Sequence, residues 1–298
     1  MDNVAPPVVW VLNLDADREL ALGHYQPSAA VAARMRRARR RVLGLVRPDD
    51  VVLDDEDDPE IGARAKGRPG YCWCPTPRAR RALCRVGARR PWGPELSFDL
   101  LRRVNHRRFC AELGQTLPGA LWCEDRRAVV TCLVSGASDT DAWLLKRPYS
   151  FSGSGRRRVS VDRSWADDPD LSRWIDASLR RGGLQVEPWC QRTLDVVLHG
   201  FIGADDIHLG APCVQECDAH GAWQTTRFGA PLTSEECAAL RYETTRAGAA
   251  LRETGYRGPF AVDAFRHAAG FCPRVEINAR YTMGWGIGLP ERPDLVRP

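Results

Sequence analysis

Near the carboxyl end, Pro259 to Arg280 (PFAVDAFRHAAGFCPRVEINAR) holds two strand-like runs around Ala268-Ala269-Gly270, a turn signal. A hairpin centred between Ala269 and Gly270 sets Asp263 directly opposite Glu276. Side chains alternate along a strand, so Val262, Ala264, Val275 and Ile277 share one apolar face, and Asp263, Glu276 and Asn278 share the other. Glu276 and Asn278 then project the same way about 6.8 Å apart, and the neighbouring strand, about 4.8 Å away, adds Asp263. Three oxygen-bearing side chains with no lysine beside them suit a hard cation. Mg²⁺ takes carboxylates together with phosphate oxygens and keeps several waters. The plainer alternative is a solvated sheet face with ordinary polar residues.

A second group lies upstream. Trp143-Leu144-Leu145-Lys146 reads as an apolar strand ending on lysine, followed by the Gly/Ser-rich stretch Arg147 to Arg158. Lys146 and Lys66 are the only lysines, against forty-one arginines. A lysine kept in so arginine-rich a chain points to a need for a compact ammonium rather than a planar fork. With Ser152 and Ser154, Gly153 and Gly155 let backbone N–H groups close on phosphate oxygens. The preceding lysine reaches the same phosphates as a point charge. The P-loop pattern GxxxxGK[ST] is missing, and a surface loop is the bland alternative. Val186-Glu187-Pro188-Trp189-Cys190, with Asp195 beyond it, reads as an extended linker able to offer backbone groups to an adenine edge and a carboxylate to ribose hydroxyls. By itself Trp189 is a core-packing residue.

The elements that must position these residues are partly visible. Val8 to Leu14 is a β-branched apolar run, and Asp15 and Asp17 open a helix-like stretch after it. Val51 to Leu53 and Gly70 to Pro77 are two more strand candidates, so the first 95 residues read as an α/β unit with a parallel sheet. GxGxxG does not follow the first strand, which argues against a dinucleotide there. Pro91 to Pro94 looks like a boundary. Ser97 then caps a single helix through Leu100, Leu101, Val104 and Phe109 that ends near Gly114. Further on come a helix near Pro169 to Arg181, strands at Leu184 to Cys190 and Leu194 to Ile202, and a helix over Thr233 to Thr254 capped by Thr233 or Ser234.

Composition narrows the function classes. At 298 residues, 44% hydrophobic and 27% charged, the chain suits two or three globular subdomains. Its apolar runs fall short of the ~18 residues that span a bilayer, and the Val8 run lacks a basic flank, so a cytoplasmic protein without a membrane partner is expected. The eleven cysteines are scattered without paired CxxC clusters, which reads as reduced thiols rather than a zinc site. The net charge of +5 comes from basic runs opposed by the acidic run Asp49 to Glu60. Those basic runs lack interleaved aromatics, so nucleic acid is an unlikely partner and an RNA-associated protein the third reading.

In chain order, a strand-end lysine, a glycine loop, an E-P-W-C hinge, a further acid and D…E-x-N-x-R together resemble the ATP-grasp superfamily, which includes glutathione synthetase, D-alanine–D-alanine ligase and biotin carboxylase. The resemblance covers about residues 97–284, with V-E-I-N-A-R-Y its most specific part. It implies a mixed α/β and α+β chain: an N-terminal α/β (pre-ATP-grasp-like) domain over residues 1–95 and an ATP-grasp domain over 96–298. Within the latter, a nucleotide-binding subdomain falls at about 141–190 and a metal-binding one at about 191–298. The implied cofactors are ATP and Mg²⁺.

Residue by residue, Lys146 resembles the lysine on the ATP phosphates. Ser152, Gly153, Ser154 and Gly155 lie in what resembles the loop closing over them. Glu187, Trp189 and Cys190 resemble the adenine hinge, and Asp195 the ribose ligand. Asp263, Glu276 and Asn278 resemble the metal ligands, and Arg280 the arginine that steadies phosphate or acyl-phosphate, so that Arg280 and Lys146 are the catalytic pair. Asn105-His106-Arg107-Arg108-Phe109 resembles N-x-K-x-F with Arg107 in place of lysine. Pro188 replaces a commonly basic residue, and Asp195 is shorter than the usual glutamate. The implied activity is an ATP-dependent carboxylate–amine ligase acting on small-molecule or peptide carboxylate and amine substrates. The alternatives are a kinase-like phosphotransferase or a nucleotide-binding regulatory protein on the same scaffold.

Overall fold

The computed structural model describes residues 6–42, 44–53, 58–89, 95–135, 140–150, 155–161, 167–218, 223–290 and 293. Three sheets follow one another along the chain. The first is parallel, ordered β2-β1-β3, from β1 (Val9–Val11), β2 (Val51–Val52) and β3 (Gly70–Cys72). Helices α1 (Ala16–Leu22), α2 (Ala29–Arg39), α3 (Pro59–Ala65) and α4 (Pro77–Arg85) connect and flank these strands. Asp50 ties β1 down: its carboxylate accepts from Val8 N at 2.9 Å and from Trp10 Nε1 at 3.0 Å. The boundary anticipated at Pro91 to Pro94 lies outside the described residues.

The single helix expected after Ser97 is two helices, α5 (Phe98–Asn105) and α6 (Arg107–Glu112). His106 separates them with φ −78° and ψ 134°, and its Nδ1 caps α6 by accepting from Arg108 N at 3.1 Å. The apolar spacing survives the break, because Leu101, Val104 and Phe109 all remain in the core. Spacing alone therefore could not reveal it.

The second sheet, β4-β7-β5-β6, is antiparallel and is built from β4 (Leu121–Cys123), β5 (Ala142–Lys146), β6 (Arg156–Ser160) and β7 (Leu184–Pro188). Trp143, Leu145, Leu184 and Val186 turn to one face and pack against α7 (Arg126–Ser135) and α8 (Pro169–Leu179). By alternation Leu144, Lys146, Gln185 and Glu187 occupy the other face.

The third sheet runs β11-β10-β8-β12-β13, with β9 also on β8. Its strands are β8 (Arg192–Ile202), β9 (Ile207–Leu209), β10 (Cys213–Cys217), β11 (Trp223–Phe228), β12 (Gly258–His267) and β13 (Gly270–Asn278). Val196, Leu198, Val262, Ala264 and Ile277 pack against α9 (Ser234–Glu253) through Leu240, Ala247 and Leu251. Thr233 caps α9 in a reciprocal box: its hydroxyl accepts from Glu236 N at 3.2 Å while Glu236 Oε2 accepts from Thr233 N at 2.9 Å. The short α10 (Trp285–Gly288) packs so closely on the loop after α2 that a side chain at Gly286 would meet the Gly44 carbonyl.

The β12–β13 register is Asp263↔Glu276 and Val262↔Ile277, as the sequence predicts. Nearer the turn it is Phe265↔Cys272 and His267↔Gly270, so the turn residues are Ala268 and Ala269 and a bulge separates the two registers. One face assignment changes with it. Val275 does not join Ala264 but packs with Leu117, Ala120, Phe265 and Cys272. Pro273 and Arg274 lie in the bulged stretch of β13, where proline has no N–H to give the ladder. Arg274 is 3% exposed, and its guanidinium reaches Glu243 Oε2 at 2.7 Å, Cys110 O at 2.5 Å and Gly114 O at 3.0 Å.

Candidate active site

The second and third sheets bring their polar faces together. On the third, Asp263 and Glu276 sit side by side across β12 and β13. Asp263 Oδ2 accepts from Asn278 Nδ2 at 3.0 Å, and its Oδ1 accepts from Gln215 Nε2 at 3.2 Å. Burial, then the charge of Glu276, push the Asp263 carboxyl up to about 7. Glu276 shifts the other way: the nearby charges and hydrogen bond of Arg107, with Lys146 and Arg280, outweigh its burial and lower it. Two carboxylates are hard donors of the kind Mg²⁺ takes with phosphate and water; the Asn278 amide oxygen accepts from Arg280 Nη1, so it could join such a shell only if that contact opened. Among the described residues, no three or more His, Cys, Asp and Glu side chains form a ready metal cluster.

The facing surface is cationic. Arg107 Nη1 lies 2.8 Å from Glu276 Oε2, while its Nε donates to Arg147 O at 3.0 Å and its Nη2 to Ser150 Oγ at 2.6 Å. The basic group beside the acidic face is therefore an arginine, where the sequence shows only that no lysine adjoins it. Lys146 is 6% exposed and pairs with Glu187, which is 2% exposed. Burial lowers the Lys146 ammonium, and Glu187 only partly offsets this. The second carboxylate oxygen of Glu187 is buried without a hydrogen-bond partner. Arg156 stands opposite Lys146 in the β5–β6 register and feels Arg192, Arg107 and Glu276. Arg156 falls inside the stretch Arg147 to Arg158 that the sequence presents as a Gly/Ser-rich loop, and it is the first residue of β6; the hairpin pairing around the loop is the signal that places it.

The other expected residues are less uniformly gathered. Gly155, at φ 76°, accepts from Arg147 N at 2.9 Å and closes the β5–β6 turn, whereas Ser152, Gly153 and Ser154 lie outside the described residues. Trp189 is 37% exposed with Arg158 stacked 4.5 Å from its ring centroid. Its N–H donates to Ala142 O at 2.8 Å and its carbonyl accepts from Thr140 Oγ1 at 3.3 Å. The N–H of Trp189 is thus committed to the sheet, while its carbonyl, with two acceptor positions, keeps one for a ligand. Cys190 follows it, packed with Phe265 and Cys272. Asp195 pairs with Arg192 at 2.9 Å and lies next to Gln215 across β8 and β10.

Arg280 is held from three directions. Ala279 N donates to Asn105 Oδ1 at 3.0 Å, Asn105 Nδ2 donates back to Ala279 O at 3.2 Å, and Tyr281 N donates to Trp73 O at 3.1 Å. The Arg280 side chain bridges Asn278 Oδ1 and Asp17 Oδ2, the latter at 2.7 Å. Asp17 was not among the expected site residues.

The fold as a whole is also found among solved structures. N5-carboxyaminoimidazole synthetase from Staphylococcus aureus, complexed with ADP, superimposes with a TM-score of 0.53 over 96% of this chain and 74% of that one, at 11% identity. The chain has the ATP-grasp fold. N5-carboxyaminoimidazole ribonucleotide synthetase from Thermus thermophilus matches with a TM-score of 0.54 over 95% of this chain and 74% of that one, at 19% identity. Pyruvate carboxylase from Rhizobium etli matches with a TM-score of 0.55 at 16% identity, over 74% of this chain but 20% of its own. No protein-family model and no curated protein matches the chain. Likeness at these identities shows the ATP-grasp fold alone, so the chemistry rests on this chain's own side chains. Among the described residues, no helix is long and apolar enough to cross a membrane.

Proposed function

We propose that this chain is an ATP-dependent ligase that activates a substrate carboxylate as an acyl-phosphate for attack by an amine. The observation that carries the reading is the confrontation of Asp263, Glu276 and Asn278 on one sheet with Arg107, Lys146 and Arg156 on the other side. Cations and hard oxygen donors that face each other across two sheets suit a polyphosphate and its metal. The solved neighbours named as carboxyaminoimidazole synthetases share the fold on which this reading places the site. In this reading ATP lies between the second and third sheets, the first 95 residues shape the substrate pocket, and the setting is the cytoplasm.

Asp263, Glu276 and Asn278 would hold Mg²⁺, and the bound ion would neutralise phosphate charge during transfer. A carboxylate oxygen attacks the γ-phosphorus; the bond to the β-phosphate oxygen breaks and ADP leaves. The amine nitrogen then attacks the acyl carbon, phosphate departs with the C–O electron pair, and the nitrogen gives up its proton. Lys146 and Arg280 supply fixed positive charge during the first step. Glu187, paired with Lys146, partly offsets the burial that lowers its ammonium. Gly155 and Arg147 set the hairpin whose glycine loop would cover the phosphates, and Asp195 would accept from the ribose. None of these steps needs a side-chain nucleophile.

The test is release of ADP from Mg-ATP across panels of amino acids and short peptides. The expected result is ADP formation that requires both a carboxylate and an amine. ADP formed with a single acceptor and no second substrate would favour a phosphotransferase instead. Binding of Mg-ATP with no turnover under any pairing would favour a regulatory role.

A further inference from the structure

Asp17 belongs to the first turn of α1, far in sequence from the acidic hairpin, yet its carboxylate is 6% exposed and meets Arg280 Nη2 at 2.7 Å. Arg280 Nη1 donates to Asn278 Oδ1, Asn278 Nδ2 donates to Asp263 Oδ2 at 3.0 Å, and Gln215 closes the far end on Asp263 Oδ1 at 3.2 Å. The result is one unbroken relay, Asp17–Arg280–Asn278–Asp263, from the first sheet's helix to the acidic face. The Asn278 amide has its oxygen towards Arg280 and its nitrogen towards Asp263, the orientation in which each group meets a complementary partner.

A buried guanidinium needs a carboxylate, and the nearest alternatives to Asp17 are informative. Arg280 feels the charge of Glu276, and Asp263 feels the charge of Arg280. Arg280 already reaches towards Asp263 through Asn278, so without Asp17 that hairpin is where its guanidinium would re-pair, because an unpaired buried charge is far costlier than a re-paired one. Glu276 already carries Arg107, so a second cation there would neutralise the whole face. The backbone of residues 279–281 is fixed by Asn105 and Trp73, so Arg280 can change its partner by side-chain rotation alone.

We propose that Asp17 is a positioning residue: it holds Arg280 off Asp263 and Glu276, so that the hairpin keeps the negative charge needed for its metal. This rests on the reading of that hairpin as the Mg-nucleotide site. Asp17 thereby makes the first α/β unit part of the metal site without touching the metal.

Binding of Mn²⁺ in the presence of ADP, followed by the electron paramagnetic resonance of free Mn²⁺, tests this without any need for turnover. Asp17→Asn is expected to weaken Mn²⁺ binding on the order of tenfold, and Asp17→Glu to restore most of it. In an Arg280→Gln background the roaming cation is gone, so Asp17→Asn should have no further effect on Mn²⁺. A melting temperature is read for every variant. Asp17→Asn that melts lower but binds Mn²⁺ like the unaltered chain makes Asp17 a purely structural partner and overturns the proposal. So does an equal loss of Mn²⁺ affinity in the Arg280→Gln background. An unaltered chain that takes up ADP but no Mn²⁺ removes the metal reading itself and this proposal with it.

Discussion

The guanidinium of Arg107 lies 2.8 Å from the carboxylate of Glu276, joining the first turn of α6 to the acidic strand of the third sheet. The resemblance leads one to expect a lysine at that position. Arginine does more there, because the same fork also bonds Arg147 O and Ser150 Oγ. It links three segments that a single ammonium would not span.

Arg107→Lys should therefore retain Mg-ATP binding while losing stability. Two hydrogen bonds from a charged donor go, at about 1.5–3 kcal/mol each when partners are left unpaired. The expected outcome is a lower melting temperature whose upward shift with Mg-ATP is preserved. A variant that melts like the parent would show that the Arg147 and Ser150 contacts carry no weight.

Lys146 and Glu187 are both buried, so Lys146→Met has two consequences. It removes the ammonium proposed for the phosphates and strands a buried carboxylate, which costs about 3–5 kcal/mol. Adding Glu187→Gln should recover much of the stability and none of the nucleotide binding. Melting curves with and without Mg-ATP separate the two effects. Lys66→Met should change neither, since Lys66 is an exposed residue at the end of α3.

Much of this site was legible because it is local. The alternation from Pro259 to Arg280 fixes both strands and the Asp263↔Glu276 pairing, and Leu144 to Lys146 announces its own strand. The losses come from partners distant in sequence. Arg274, in the bulged stretch of β13, bonds to α9 and to the end of α6, which a two-residue period cannot foresee, and Asp17 meets Arg280 across 263 positions. His106 breaks a helix whose apolar spacing continues on either side. The short strands β9, β10 and β11 carry no comparable pattern of their own; they form by pairing with β8 and with each other.

His106 gives the protein a pH dependence with a definite sign. Burial, then the charges of Arg108 and Arg102, push its imidazole down to about 4, while in the unfolded chain it titrates near 6.5. Between those values the unfolded chain binds the extra proton, so stability falls as pH drops from about 6.5 to about 4. Burial pushes His199 down to about 3, which acts in the same direction. Protonation at Nδ1 would also remove the acceptor that caps α6. His106→Asn keeps a capping acceptor without the titration. His199 acts in the same sense and the raised Asp263 carboxyl in the opposite one, but parent and variant share both, so the melting temperature of His106→Asn should still rise relative to the parent's as pH falls from 7 to 5.

The acidic hairpin gives the sharpest contrast between adjacent residues. Glu276→Gln keeps shape but removes charge from the face that bears Asp263 and Asn278. With one carboxylate fewer, Mg²⁺ or Mn²⁺ affinity should fall, and ligase turnover should drop on the order of a hundredfold or more. Arg107 also loses its charged partner, so stability should decline modestly even without nucleotide. Val275→Thr, one residue away, should behave differently. Val275 packs with Leu117, Ala120, Phe265 and Cys272, so a hydroxyl there costs about 1–3 kcal/mol of stability. It leaves the charges of the face unchanged. Metal titrations and melting curves on the two variants should therefore show opposite patterns: affinity lost with little melting change for Glu276→Gln, melting lost with little affinity change for Val275→Thr. If Glu276→Gln binds Mn²⁺ with ADP as tightly as the parent, Glu276 is not a metal ligand and its place is solely that of Arg107's partner.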